Sequence, residues 1–173
     1  MDEFRKDPKV ASLDSHLTKA DHAVGTAMRV MLEESSYFHN LYLRWQADEE
    51  NSHETFKAFF APYIPYPISR IVYYFARKET LASLHGQGTG RLSGADVAKK
   101  SAKEIDAISQ FLGSKKYFFG DRISTYDAAF YGFIQSFFNG AWDHEVVQYA
   151  RSKKNLRDYV DRMRKEIFPD LQP

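Results

Sequence analysis

Along most of this chain the hydrophobic residues recur at intervals of three and four, the spacing that places side chains on one face of an α-helix. The longest such run begins at Thr18 and ends at Trp45. Its apolar stripe consists of Val24, Met28, Met31, Ser35, Phe38, Tyr42 and Trp45. The opposite face carries Arg29, Glu33, His39, Asn40 and Arg44. The pattern therefore predicts one long amphipathic helix with His39 on its polar side.

The same spacing predicts shorter helices in the rest of the chain. They are a short helix at 52–61 that Pro62 ends, a second long helix from Ile68 to the glycines at 86–90, and helices at 93–112, 124–138, 142–152 and 156–167. No segment alternates between apolar and polar residues with the period of two that is typical of a strand. We therefore predict an all-α bundle of about six to seven helices.

One helix start is marked by a capping box, in which Ser124 and Asp127 satisfy backbone N–H groups at the end of the helix. The helix behind this box is apolar on too many sides for a surface helix, with Tyr126, Phe130, Phe133, Ile134, Phe137 and Phe138. We predict that it crosses the middle of the protein and that its cap is buried. Its small residues Ala128, Gly132 and Ser136, four apart, form an edge where a neighbour can come close.

Composition excludes several classes of function. The formal net charge is +1, with 24 basic and 23 acidic residues interleaved along the chain, which argues against a nucleic-acid surface. The absence of cysteine excludes disulfides, thiolate metal sites and cysteine nucleophiles. No apolar stretch approaches the roughly 20 residues of a membrane span, and no signal peptide is recognisable. We predict a cytoplasmic protein without a membrane span.

Candidate catalytic groups are present but not in a recognisable arrangement. The glycine-rich run 86–90 follows a helix and lacks the Gly-Lys-Ser/Thr ending of a phosphate-binding loop, so we interpret it as a helix stop. Of the six histidines only His53, in the sequence Glu50-x-x-His53, has the spacing of a helical di-metal site. No spacing predicts a Ser-His-Asp triad. We predict no catalytic residue and no metal, with a short metal-binding or enzymatic bundle as the alternative.

Aromatic side chains along the first long helix are the candidate ligand-binding residues. Tyr37, Phe38, Tyr42 and Trp45 could line one wall of a pocket for an apolar ligand that has a polar handle. The same residues would equally fill gaps between packed helices. Aromatic residues make up 16% of the chain, which is consistent with either interpretation.

Several motifs resemble one family. Gly120-x-x-Ile123-Ser124-x-Tyr126-Asp127 resembles the capping box and hydrophobic staple of the C-terminal helical domain of glutathione transferases. Closer likeness to the failed axon connections and metaxin-like branch lies in His85-Gly86-x-Gly88-x-Gly90-Arg91, in Leu112-Gly113-x-Lys115-Lys116-Tyr117 and in Asn155-Leu156 through Phe168-Pro169. Met31-Leu32-Glu33-Glu34 with Arg44-Trp45 is similar to the first long helix of that branch.

The resemblance implies a division of labour between two halves. In such proteins a thioredoxin-like N-terminal half supplies the glutathione site and the catalytic residue, and the helical half lines the hydrophobic-substrate pocket. We expect residues 1–17 to be a linker or lead-in and 18–173 to be the helical domain, with the thioredoxin-like half absent. Tyr37, Phe38 and Tyr42 are then the pocket candidates, Ser124 and Asp127 serve folding, and this half binds no cofactor and is not catalytic alone.

The missing layer leads to an expectation about partners. Without a thioredoxin-like half, apolar surface of the helical domain would be exposed, and a second copy could cover it. The expected partners are therefore an apolar small molecule, a second copy of the chain or a thioredoxin-like domain, with glutathione bound only where that domain exists.

Overall fold

The computed structural model describes residues 13–48, 52–53, 56–57, 63–139 and 143–167. The described part is helical throughout, and its only β-type pairing is an isolated bridge between Tyr117 and Gly120. The all-α prediction is therefore confirmed. Of the short helix predicted at 52–61, only the four residues 52–53 and 56–57 lie in the described part.

The helices follow the predicted order. They are α1 (Lys19–Met31), α2 (Tyr37–Trp45), α3 (Ile68–Gln87), α4 (Gly94–Leu112), α5 (Thr125–Asn139), α6 (Glu145–Ser152) and α7 (Lys154–Glu166). A π-helical segment, Leu32–Ser36, joins α1 to α2 without a break, and a short 3₁₀ turn, Thr89–Arg91, separates α3 from α4. The helix predicted from Trp142 begins at Glu145, because the His144 side chain accepts the Val146 N–H and caps it there. Trp142 itself lies outside the described residues.

The polar face predicted for the first long helix was wrong for His39, which is buried. Val24, predicted on the apolar stripe, is instead 42% exposed. The reason is that this helix packs on two sides: α2 contacts both α3 and α4, while α1 and the π-helical segment contact α5. The wider turn of the π-helical segment also shifts the positions that face inward, so a single stripe at intervals of three and four cannot describe them.

The helix α5 contacts α1, the π-helical segment, α6 and α7, as expected for an element that crosses the middle of the protein. Phe130 and Ile134 are almost fully buried, and the Phe130 ring stacks on Phe118 with 3.8 Å between centroids. At the start of α5 the Thr125 N–H donates to the Asp14 carboxylate at 2.8 Å. Residue 14, in the predicted lead-in, thus supplies a second cap to the central helix.

The glycine-rich run at 86–90 forms a helix stop. Gly88 follows α3 with a φ of +116°, which favours glycine, and its N–H donates to the Leu84 carbonyl. At Gly90 an added Cβ would lie 2.8 Å from the backbone nitrogen of His85, so the chain doubles back too closely for any larger residue. These contacts support the interpretation of this run as a tight connection between helices.

Candidate functional site

The most apolar cavity of the described chain lies between the first long helix and α5. Its volume is about 490 Å³, within the roughly 300–1,000 Å³ typical of small-molecule sites. It is lined by Leu32, Glu33, Tyr37, Asn40, Leu41, Arg44, Trp45, Ala129, Gly132, Phe133 and Ser136. We call it the α5 cavity.

The small-residue edge of α5 creates this space. Gly132 and Ser136 line the cavity, and a Cβ added at Gly132 would meet no atom within 4 Å. The edge therefore leaves a void beside α5, where close contact with a neighbouring helix was expected. Across it, the Asn40 side-chain amide donates to the Ser136 hydroxyl at 3.1 Å and ties the two walls together.

Of the three predicted pocket residues, only Tyr37 lines the cavity. Its side chain is 52% exposed at the mouth, and its ring meets Phe38 edge to face with 5.2 Å between centroids. Phe38 packs against the hydrophobic core. Tyr42 is buried, and its hydroxyl donates to the Leu92 carbonyl at 3.4 Å. Phe38 and Tyr42 therefore occupy core positions outside the cavity, where their rings fill space between helices.

The polar groups of the cavity were not predicted as site residues. The Asn40 side-chain oxygen is buried and accepts no hydrogen bond from the described chain. The guanidinium of Arg44 lies nearby on the same helix, and burial lowers its pKa from the ordinary value. Trp45 adds an aromatic wall at the same end. Sequence periodicity placed Asn40 and Arg44 on a polar face, and only the position of α5 shows that this face borders a cavity.

The capping-box residues lie at the opposite end of α5 and away from the cavity. Both oxygens of Asp127 are used: one accepts the Ser124 N–H at 2.9 Å and its hydroxyl at 2.7 Å, and the other accepts the Phe118 N–H at 3.0 Å. The Tyr159 hydroxyl donates to the same side chain at 3.2 Å. Burial, reinforced by the adjacent Asp127 carboxylate, raises the pKa of Tyr159 far above its ordinary range.

A second polar cluster lies where the π-helical segment meets α4. Glu104 accepts hydrogen bonds from Ser35 at 2.6 Å and from the buried His39 Nδ1 at 3.0 Å. Burial alone would raise the pKa of Glu104, but the hydrogen bonds from His39 and Ser35 outweigh it and hold the pKa below the ordinary value. This cluster fastens the first long helix to α4. Within the described residues no group of three histidine, aspartate or glutamate side chains could hold a metal ion.

Comparison with known proteins gives a consistent set of relatives. The family model described as "Glutathione S-transferase, C-terminal domain" matches residues 101–163, which span most of α4 to most of α7. The isoprene-epoxide–glutathione S-transferase of Rhodococcus sp. (strain AD45) is 30% identical over 173 aligned residues, covering 95% of this chain and 69% of that protein.

Two relatives from Drosophila melanogaster represent the branch that the motifs resemble. The metaxin-1 homolog is 25% identical over 171 residues, and failed axon connections is 27% identical over 170 residues. The chain spans 50% of the first protein and 40% of the second. No solved structure matches the chain. The family match and the transferase relative together show that this chain belongs to the glutathione S-transferase family, in the region of its C-terminal domain.

Proposed function

We propose that this helical domain forms the binding wall for an apolar small molecule in the α5 cavity and carries no catalytic residue of its own. The observation that supports this proposal is the cavity lining, in which aliphatic and aromatic side chains surround the few polar groups of Glu33, Asn40, Arg44 and Ser136. Such a composition suits a hydrophobic ligand that is oriented by one or two hydrogen bonds.

The family supplies the second half of the proposal. One relative is a transferase whose printed name pairs isoprene epoxide with glutathione. We infer that in this protein, too, glutathione would be held by a thioredoxin-like half and that the helical half would present the apolar partner. Transfer chemistry is therefore proposed only for the two halves together.

The test is to fill the cavity without disturbing the helix. Gly132 lies within α5 and has open space at its Cβ position, so Gly132→Phe should occupy the cavity while α5 stays intact. Gly132→Ala is the matched control, because it makes the same change of backbone preference with a side chain too small to fill about 490 Å³.

The probe is the neutral fluorophore N-phenyl-1-naphthylamine, titrated into the purified protein. We expect saturable binding to the wild type and to Gly132→Ala, and at least about tenfold weaker binding to Gly132→Phe, which corresponds to about 1.4 kcal/mol. Equal binding to all three proteins would place the probe elsewhere and overturn the proposal. Loss of binding in Gly132→Ala as well would also contradict it, because a methyl group leaves most of the cavity open.

A further inference from the structure

A second large cavity lies on the other side of Trp45, between the residues at 52–57 and the first turns of α3. Its volume is about 530 Å³, and its described lining consists of His53, Phe56, Lys57, Tyr66, Ser69, Arg70 and Tyr73. We call it the α3 cavity. The Trp45 ring, which lines the α5 cavity, stacks on Tyr73 with 6.3 Å between centroids and an interplanar angle of 20°. This pair of rings separates the two cavities.

The wall of the α3 cavity is aromatic and held in place. The Tyr73 ring meets Phe56 and His53 edge to face, with 5.3 and 5.4 Å between centroids. The Tyr73 hydroxyl donates to the Ser52 hydroxyl at 2.9 Å, and both Ser52 and Phe56 are buried. Rings that are fixed in this way offer a preformed surface on which a planar group can stack.

The charges at the α3 cavity have one sign. Lys57 and Arg70 line it together with the titratable His53, and the described lining contains no aspartate or glutamate. The Arg70 side chain makes no hydrogen bond or ion pair within the described chain, so its guanidinium is available to a ligand. Ser69 and Arg70 also lie in the first turn of α3, where the helix dipole adds partial positive charge.

We propose that the α3 cavity binds a small aromatic anion, with the planar group against Tyr73 and the phosphate or carboxylate at Arg70 and Lys57. A cationic ligand would be repelled by the two basic side chains, and a purely apolar ligand would leave Arg70 unused. Guanidinium groups bind phosphate and carboxylate through paired hydrogen bonds, which makes Arg70 the main anion contact. This site is separate from the α5 cavity and does not depend on the function proposed for it.

The experiment uses phenyl phosphate as the probe and follows backbone amide shifts by NMR. Binding should shift the amides of His53, Ser69 and Tyr73 and leave those of Ala129 and Gly132 in the α5 cavity unchanged. Inorganic phosphate and benzyl alcohol, which each carry half of the recognised chemistry, should bind more weakly than phenyl phosphate.

Two exposed basic residues of α3 give a matched pair of variants. Arg70→Gln removes the anion contact and should weaken phenyl phosphate binding about tenfold, the loss expected for one charge-assisted hydrogen bond. Lys78→Gln removes the same charge from the same helix outside the cavity and should leave the affinity unchanged. Equal weakening by both variants, shifts confined to the α5 cavity, or the absence of saturable binding would each overturn the proposal.

Discussion

The carboxylate of Asp127 accepts four hydrogen bonds and is completely buried. Two of the donors belong to Ser124, three residues away, and this local pairing is predictable from the capping-box sequence. The other two come from Phe118 and Tyr159, which are nine and 32 residues away. One side chain therefore joins the start of α5 to the preceding loop and to α7, and the distant half of its role depends on how the helices pack.

At the residue scale we predict that Asp127→Ala lowers the free energy of unfolding by about 3 kcal/mol or more. The change leaves the buried N–H groups of Phe118 and Ser124 without acceptors, and each unsatisfied group costs about 1–3 kcal/mol. Urea unfolding at neutral pH measures the loss.

Asp21 provides the matched control, because it forms the same capping box with Thr18 at the exposed start of α1. Asp21→Ala should cost clearly less, since water can satisfy the groups that it leaves unpaired. Equal losses for the two variants would show that the burial of Asp127 adds nothing.

At the scale of single elements, the position of α1 against α5 depends on a glycine that the periodicity did not single out. A Cβ added at Gly25 would lie 2.8 Å from three ring atoms of Tyr126. The Tyr126 hydroxyl donates to the His22 carbonyl at 3.2 Å and lies 3.3 Å from the Thr26 hydroxyl, which fixes the ring over α1. The two helices therefore meet through a ring seated on a bare backbone.

We predict that Gly25→Ala destabilises the protein by about 1–3 kcal/mol, the usual cost of overfilling a packed core. Alanine favours helix over glycine by about 1 kcal/mol, so helix propensity alone predicts the opposite sign. Gly86→Ala in α3 is the control, because its Cβ would meet nothing within 4 Å and helix propensity should then raise the stability. Thermal unfolding of both variants decides the matter, and stabilisation by Gly25→Ala would disprove the close contact.

The element predictions succeeded where the signal was local and failed where it depended on neighbours. Capping boxes at Thr18 and Ser93 and the glycine stop at Gly88 predicted helix ends, because each acts within a few residues of itself. The burial of His39 could not be predicted in this way, since it follows from Glu104 on α4, 65 residues away. The same holds for the α5 cavity, whose two walls come from separate helices.

At the scale of the whole molecule, α3 exposes an apolar face. Ile68, Ile71 and Phe75 lie on one side of the helix and are each more than half exposed. Helix periodicity marked these residues as core positions, but in the described structure the buried side of α3 reaches the core mainly through Leu84, at its C-terminal end. An apolar stripe of this kind is typical of a surface that a partner covers.

We expect a second copy of the chain to cover this stripe, because an uncharged aliphatic and aromatic face can pack against itself around a twofold axis. Ile71→Asp would bury a carboxylate in that contact and should shift the protein from dimer to monomer in sedimentation velocity. Val24→Asp, on the exposed side of α1, is the control and should leave the association unchanged. A wild-type protein that remains monomeric at every concentration tested would refute the expectation.

The sequence by itself determined the helical class, the order of the helices, their caps and stops, and the family. These properties arise from interactions between residues a few positions apart, whose spacing is visible in a linear chain. The α5 cavity, the placement of Phe38 and Tyr42 in the core and the distant partners of Asp127 arose only when separate helices came together. Each depends on which faces meet and at what distance, and periodicity along a single helix carries no information about either.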